Sequence, residues 1–440
     1  MFRKNALPLA IATAIAASSA AQANFSNLYE DATVGGKLRT VYIEADKKDG
    51  GTDAGAWTVS ADITVKSGWA YDMFGFDASY YGAMAINDGN TNDPKNLLTY
   101  GDKDGFSKLG QAYLKGKFGS KDMGASFKAG RTRIYTGLIS GSGSRSIPSS
   151  WQGIDTDFNF NGLNVGVAWV NAVLPRDTPD MKWIENSEGE RIDNILGMEA
   201  SYKFDNGLSL KYMNGFAKDF VESHQFIAKK GYELSNGNKL TVEGNYRVSE
   251  ENGKLWTGQG GYGSSDSGFG DKAQTYDFNV KYGMGAAYVR AGLGYTKADS
   301  YSYGGREYTG RHYYDFGKYS YGAWNTWTNS GLIEEFYYDG EKVIALGAGY
   351  DFADMGIPGL TVDYKFRYGS GIDLSQGGSA SETEHGIDVK YKFQSVKGLS
   401  TRIRYAIYNQ DDLVYATKNG AASKAETDEN QLRVYLDYKF

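Results

Sequence analysis

The chain ends Gln431-Leu432-Arg433-Val434-Tyr435-Leu436-Asp437-Tyr438-Lys439-Phe440, and the two faces of that segment do not share a solvent. Leu432, Val434, Leu436, Tyr438 and Phe440 fall on one side of an extended backbone, and Arg433, Tyr435, Asp437 and Lys439 on the other. Working outward, Leu360, Val362, Tyr364, Phe366 and Tyr368 alternate with Thr361, Asp363, Lys365 and Arg367. Ile387, Val389, Tyr391 and Phe393 alternate with Asp388, Lys390 and Lys392. The same period of two returns upstream in Trp57 to Lys66 and in Leu240 to Val248.

Marking each such segment predicts strands at 34–43, 57–66, 73–81, 110–118, 124–132, 155–160, 163–170, 195–204, 208–215, 223–230, 239–248, 275–282, 287–296, 342–352, 360–368, 385–393, 399–408 and 431–440. These number about eighteen, an even count. Short and long connections are expected to alternate strictly. Asn161-Gly162, Asp205-Asn206-Gly207 and Gly283 to Ala286 have the chemistry of tight hairpins. The long set comprises 82–109, 133–154, 171–194, 249–274 and 297–341. Turns gathered at one end and loops at the other define an up-and-down antiparallel barrel, with periplasmic turns and extracellular loops once it is placed in a membrane. In lipid the first and last strands must also pair, because an open sheet edge would leave backbone groups without partners. Phe118, Phe204, Tyr368, Phe393 and Phe440, at the ends of outward faces, suit interfacial girdles. A secreted sandwich would keep polar residues on its outer face, and a solenoid would repeat at a fixed period that this chain lacks.

Composition agrees. The 440 residues carry 58 Gly, 35 Tyr and 21 Phe but only 6 Pro, 3 His and no Cys, with a mean hydropathy of −0.50. Without cysteine there is no disulfide framework, thiol chemistry or thiolate metal site, and three histidines give metal chemistry little to work with. At the N-terminus Arg3 and Lys4, the apolar run Leu7 to Ala17 and Ala21-Gln22-Ala23 describe a signal peptide over 1–23 and one mature domain over 24–440. Its removal takes away two bases and no acid, leaving 45 bases against 53 acids and a net charge of −8. Nothing in that balance points to nucleic acid. No later apolar run reaches the roughly 20 residues of a membrane helix, so the membrane reading rests on strands.

At this point the chain resembles the OprD-type family of substrate-selective outer-membrane porins. Lys66-Ser67-Gly68-Trp69 with Phe74-Gly75-Phe76-Asp77 is similar to the family's early hairpin. Gly143-Ser144-Arg145-Ser146-Ile147-Pro148 with Trp151-Gln152-Gly153 resembles its inward-folded third loop, with Gly143 where the family usually carries an acid. Tyr350-Asp351-Phe352, Gly356 to Thr361, Ser381 to Glu384, Lys397 to Ser400 and Asp428 to Arg433 follow its C-terminal order. The resemblance implies a monomeric barrel of about eighteen strands with a narrow pore, in branches that import basic amino acids, small carboxylates or chitin oligosaccharides. It also implies a cell outer-membrane location in a Gram-negative bacterium, with insertion by the barrel-assembly machinery through the C-terminal strand.

Inward positions on the late strands concentrate cations: Lys365, Arg367, Lys390, Lys392, Arg402, Arg404, Arg433 and Lys439. Strands about 5 Å apart would set them as a ladder on one wall, where successive weak contacts pass a carboxylate without trapping it. The alternative is that they only neutralise Asp363, Asp388 and Asp437. The segment 130–153 is the candidate constriction, with Arg131, Arg133, Tyr135 and Arg145 as its site residues. The expected function is passive, selective diffusion of small carboxylates or amino acids, without cofactor or metal. Inward Tyr81, Tyr113, Tyr288, Tyr408 and Tyr435 keep a second reading open, a chitoporin-like aromatic path for oligosaccharides. An enzyme is not expected, since His224, His312 and His385 sit apart with no nucleophile motif beside them; an outer-membrane hydrolase or an adhesive barrel stands as the reading from another class. Partners beyond the solute are membrane lipid and lipopolysaccharide. Asp46, Asp49, Asp53, Asp88, Asp93, Asp102, Asp104, Asp266 and Asp271, mostly in predicted outer loops, either bridge to lipopolysaccharide through divalent cations or keep the loops solvated.

Overall fold

The computed structural model describes residues 19–48, 53–87, 105–260, 268–323, 326–425 and 428–440. Residues 1–18 of the expected signal peptide lie outside them, as do Asp49, Asp88, Asp93, Asp102, Asp104 and Asp266 of the expected acidic loops.

Eighteen antiparallel strands close into a barrel. They are β1 (Thr33–Lys47), β2 (Ala54–Lys66), β3 (Phe74–Asn87), β4 (Phe106–Gly119), β5 (Met123–Thr132), β6 (Ser150–Phe160), β7 (Leu163–Leu174), β8 (Ile195–Lys203) and β9 (Leu208–Ala217). The second half comprises β10 (Val221–Glu233), β11 (Lys239–Glu251), β12 (Lys272–Met284), β13 (Ala287–Ala298), β14 (Lys342–Asp351), β15 (Leu360–Asp373), β16 (Ser379–Lys392), β17 (Leu399–Asp411) and β18 (Glu429–Lys439). Each pairs with its neighbours in sequence, and β1 pairs with β18 from Lys37↔Lys439 to Lys47↔Glu429, so no edge remains in the ring. A helix α1 (Ser19–Glu30) lies against the first turn, where the Gly68 amide donates to Leu28 O at 3.0 Å.

The outward side chains explain why the sheet closes in lipid rather than water. Ile63, Leu114, Ile154, Leu293, Leu346, Ile387, Ile403 and Leu436 are exposed by 40% or more, and they lie on strands all round the barrel. In water such a band would far exceed the apolar patch that a soluble protein leaves uncovered. No helix among the described residues is long and apolar enough to cross a membrane. The crossing is made by strands.

Every expected strand has its counterpart, but the boundaries and the strict alternation of connections need correction. At the turn end, 120–122, 161–162 and 285–286 are tight. At the loop end, 133–149, 175–194, 252–271 and 299–341 are long, yet 218–220 and 374–378 are as short as the turns. The expected gaps there close because β9, β10, β15 and β16 run further than their hydrophobic alternation. On β16 the outward residues of the extra stretch are Ser379, Ser381 and Thr383, which are polar although the ladder continues to Ile372↔Ala380. Alternation reports the bilayer, and hydrogen bonding outlasts it.

The apolar core lies inside the barrel at the loop end. Ile134, Leu138 and Ile139 of the 133–149 segment and Tyr313, Phe316 and Ala323 of the 299–341 segment pack with inward Trp151, Ala168, Val170, Ile195, Met213 and Val221. Two glycines make room. Gly197 and Gly215 face each other on β8 and β9, and a methyl group on Gly215 would lie 2.1 Å from Phe316 Cζ. The two loops thus pack most heavily on the β6–β13 side of the lumen and reach the opposite wall at fewer points, where Tyr338 meets Ile372 and Ala380 and Ile147 meets Tyr81 and Ala83.

Candidate functional site

Both loops are tied down across the lumen. Residues 133–149 start from the β6–β8 side, where Thr136 Oγ1 donates to Asp155 Oδ1 at 2.6 Å and the Gly137 amide to Glu199 Oε2 at 3.1 Å. They end against β1, β2 and β18. Arg39 donates from Nη1 to Gly143 O at 2.9 Å and Arg145 O at 3.0 Å while its Nε and Nη2 grip Asp437 at 2.6 and 2.7 Å. Ser60 Oγ donates to Ser146 O at 2.7 Å, and Tyr435 Oη to Ser144 O at 3.2 Å. Residues 299–341 meet 133–149 at Ile139 and Gly322, where the Ala323 amide donates to Leu138 O at 2.7 Å.

The eight candidate ladder residues divide by what they touch. Arg367 donates to Thr328 O at 2.8 Å and Trp327 O at 2.9 Å, with Glu384 3.8 Å away. Arg433 donates to Leu332 O at 2.6 Å and to Gln431 Oε1. These two hold the second loop. Glu384 completes the clamp by accepting the Leu332, Ile333 and Glu334 amides at 2.6, 2.8 and 3.3 Å. Deeper in the barrel Lys390, Arg402 and Arg404 share the carboxylates of Asp363 and Asp388, with Lys365 on the same face. Arg402 is bidentate on Asp388, Arg404 Nε lies 3.6 Å from it, and Lys390 Nζ lies 3.3 Å from Asp363 and 3.7 Å from Asp388. Lys365 has no ion-pair partner among the described residues. Register accounts for the cluster: Asp363 pairs with Asp388, Asp388 with Arg404, Lys390 with Arg402, and Arg404 with Arg433. Lys392 and Lys439 are exposed at the turn end, where Lys439 lies opposite Lys37.

In the 130–153 segment Arg133 reaches across to Asp62 Oδ2 at 2.5 Å and Tyr81 Oη at 3.2 Å. Arg131 donates to Leu109 O at 2.6 Å, Tyr135 is 55% exposed, and Arg145 is buried beside its Arg39-bound carbonyl. The inward tyrosines are engaged too. Arg133 lies 5.4 Å over the Tyr81 ring, Lys281 3.8 Å over Tyr288 and Arg39 5.3 Å over Tyr435. Tyr113 donates to Asp77 at 2.8 Å and Tyr408 to Glu382 at 2.6 Å.

Arg39, Glu384 and Arg247 also hold the loops, although none of them belongs to the candidate ladder or constriction set. Arg247 is fully buried on β11 and donates to Ala323 O at 2.5 Å and Tyr314 O at 3.3 Å. Its inward position was visible in the alternation of β11. Arg39 was masked because inward Val41 and Ile43 make β1 apolar on both faces.

The 299–341 segment carries titratable groups at its base. His312 is enclosed between Ser249 Oγ and Thr275 Oγ1, each 2.8 Å from a ring nitrogen, and burial together with nearby Arg247 holds it well below its ordinary 6.5. Burial pushes the Asp315 carboxyl up to about 7, against the Gly322 amide it accepts at 2.5 Å and the pull of Arg247. The docked loop therefore keeps the Asp315 proton that a released loop would lose above about 4. This group favours docking below its free value, and the contribution is lost as pH rises through about 7. His312 works oppositely, favouring docking above its ordinary value and losing that contribution as pH falls. Asp315→Asn, which mimics the protonated state, is expected to raise amide-exchange protection over 315–323 at least tenfold at pH 8, with the gain shrinking toward pH 4. Equal protection of both chains at pH 8 would refute the assignment.

Among the described residues no cluster of three or more His, Asp or Glu is placed to hold a metal. The closed eighteen-strand barrel with loops folded into a charged lumen defines an outer-membrane channel. The profile described as outer membrane porin, OprD family, matches residues 26–440, and the chain belongs to that family. Similar curated relatives include Chitoporin of Escherichia coli strain K12, 24% identical over 93% of each chain, and Porin D of Pseudomonas aeruginosa, 24% identical over 95% of this chain and 92% of its own. In three dimensions the barrel is similar to Acinetobacter baumannii OccAB1, with a TM-score of 0.76, 20% identity and coverage of 94% of this chain and 97% of the other. The protein is an integral outer-membrane protein of Gram-negative type, and the family consists of channels rather than enzymes.

Proposed function

We propose that this porin passes small anionic or zwitterionic solutes, carboxylates and amino acids, by diffusion along the β15–β18 and β1 wall. The 133–149 loop narrows the path at the extracellular end, the chain acts as a monomer, and residues 1–23 are a cleaved signal peptide. One observation carries the solute class: Lys390, Arg402 and Arg404 share the carboxylates of Asp363 and Asp388 while Lys365 beside them has no ion-pair partner among the described residues, so four bases stand against two acids and the wall keeps net positive charge facing the lumen. Fixed cations that are partly satisfied bind an anion weakly and release it to the next rung. Across the lumen, Asp155, Asp157 and Glu199 face Lys128 and Lys211, an excess of acid that suits the ammonium end of an amino acid.

The inward tyrosines weaken the oligosaccharide reading. Sugar stacking needs an open ring face, and cations cover Tyr81, Tyr288 and Tyr435. Likeness to Chitoporin and to Porin D is equal in identity and does not choose between them. The deciding experiment is single-channel recording in a planar bilayer under a salt gradient. An anion-selective reversal potential with block by small carboxylates is expected. Block by chitin oligosaccharides alone would replace this reading with the aromatic path, and absence of conductance would remove the channel reading altogether. The mass of the membrane-extracted chain reports cleavage before Asn24.

A further inference from the structure

We propose that the outward face of β8 to β13 binds one glycolipid of the outer leaflet as a specific ligand, its acyl chain in a trough below a row of aromatic rings and its sugar headgroup against Tyr212, His224 and Glu222. The orientation rests on the reading above, in which the loop end is extracellular. The trough is an open depression of about 860 Å³ with an apolar lining. Its floor is made by small residues. Ala228 and Gly244 are cross-strand partners, and nothing lies within 4 Å of where a Gly244 side chain would begin. Its upper wall is a row of Tyr212, Phe226, Tyr246, Tyr276 and Tyr295 on five successive strands, with ring centroids 5.0, 6.3, 4.9 and 6.4 Å apart.

Above that row the lipid-facing surface turns polar. Tyr212 Oη lies 2.8 Å from His224 Nδ1, Glu222 Oε1 is 3.3 Å from His224 Nε2, and Asn214 Nδ2 is 3.2 Å from His224 Nδ1. Polar groups on a lipid-facing strand are costly unless paired, and this set is paired within itself while His224 and Glu222 stay partly open to the outside. The trough is continuous with the hydrocarbon-facing band of the barrel, so an acyl chain is the occupant already in contact with it. The chemistry of the rim selects the headgroup. Glu222 accepts hydrogen bonds from the amides and hydroxyls of an acylated amino sugar, and Lys272, outward on β12 beside Glu250 at 2.6 Å, meets a phosphate on the same headgroup.

The test is native mass spectrometry of the detergent-purified full chain, delipidated and then incubated with hexa-acyl lipid A or, separately, with dioleoyl phosphatidylethanolamine. A single lipid A adduct that survives detergent removal is expected. Filling the floor with Ala228→Leu and Gly244→Leu should reduce its occupancy at least tenfold while conductance stays unchanged. Glu222→Gln with His224→Ala should weaken lipid A several-fold and leave phosphatidylethanolamine unaffected. Adducts that persist in the filled variant, equal retention of both lipids, or a wild-type dimer lost on filling would each overturn the proposal. A conducting, anion-selective protein that carries no adduct would overturn it and leave the channel reading standing.

Discussion

Replacing Lys365 and Arg404 together by glutamine is expected to move the reversal potential toward cations and to weaken block by a small carboxylate about thirtyfold. The magnitude follows from Coulomb's law in a water-filled lumen, where a unit charge about 4 Å from an anion is worth about 1 kcal/mol, or about fivefold for each cation removed. These two residues are chosen because their charge is least committed. Lys365 has no ion pair among the described residues, and Arg404 stands 3.6 Å from an Asp388 already held bidentately by Arg402. Arg367→Gln and Arg433→Gln supply the contrast. Their guanidinium groups are spent on the carbonyls of Trp327, Thr328 and Leu332, so their loss should disturb the loop more than the selectivity. Equal shifts in reversal potential from both pairs would mean that the wall acts through total charge and not through these rungs.

That division within one row of cations marks where sequence stops informing structure. Alternation places Lys365, Arg367, Arg404 and Arg433 on the same face, because period two encodes which solvent a side chain meets and nothing else. Which of them faces water and which faces a loop carbonyl depends on a segment more than thirty residues away along the chain. The loop segment 326–334 carries no signal of its own docking, since the groups that dock it are mainly backbone amides and carbonyls. Glu384 shows the same limit from the other side: the alternation of β16 puts it inward, but only the fold brings the Leu332, Ile333 and Glu334 amides to its carboxylate. Eighteen strands were legible because lipid outside and water inside impose one rule on every strand. The short connections at 218–220 and 374–378 were not, because that rule lapses beyond the hydrocarbon layer while the backbone ladder goes on.

Arg39→Ala should release the 133–149 loop from the far wall and turn a quiet channel into one that flickers to larger conductance. A single guanidinium holds the Gly143 and Arg145 carbonyls and spends its other edge on Asp437. Hydrogen bonds from a charged donor are worth about 1.5–3 kcal/mol each, less where water competes, so losing two costs the docked loop about 2–4 kcal/mol. That raises the open population roughly thirty- to several-hundredfold. Asp437, left without its partner, adds to the effect by drawing water under the loop. Arg39→Lys should not restore the docked state, because one ammonium lacks the planar fork that reaches a carboxylate and two carbonyls at once. Ser60→Ala removes a neutral bond to Ser146 O and is expected to give a much smaller change. The loop's other tethers, at Asp155 and Glu199, are untouched in every variant, so the segment swings from that base rather than unravelling. Current noise, mean conductance and protease cleavage within 133–149 should rise together in Arg39→Ala. A trace as quiet as that of the wild type, with the loop still protected, would show that packing of Ile134, Leu138 and Ile139 holds the segment in place without this arginine.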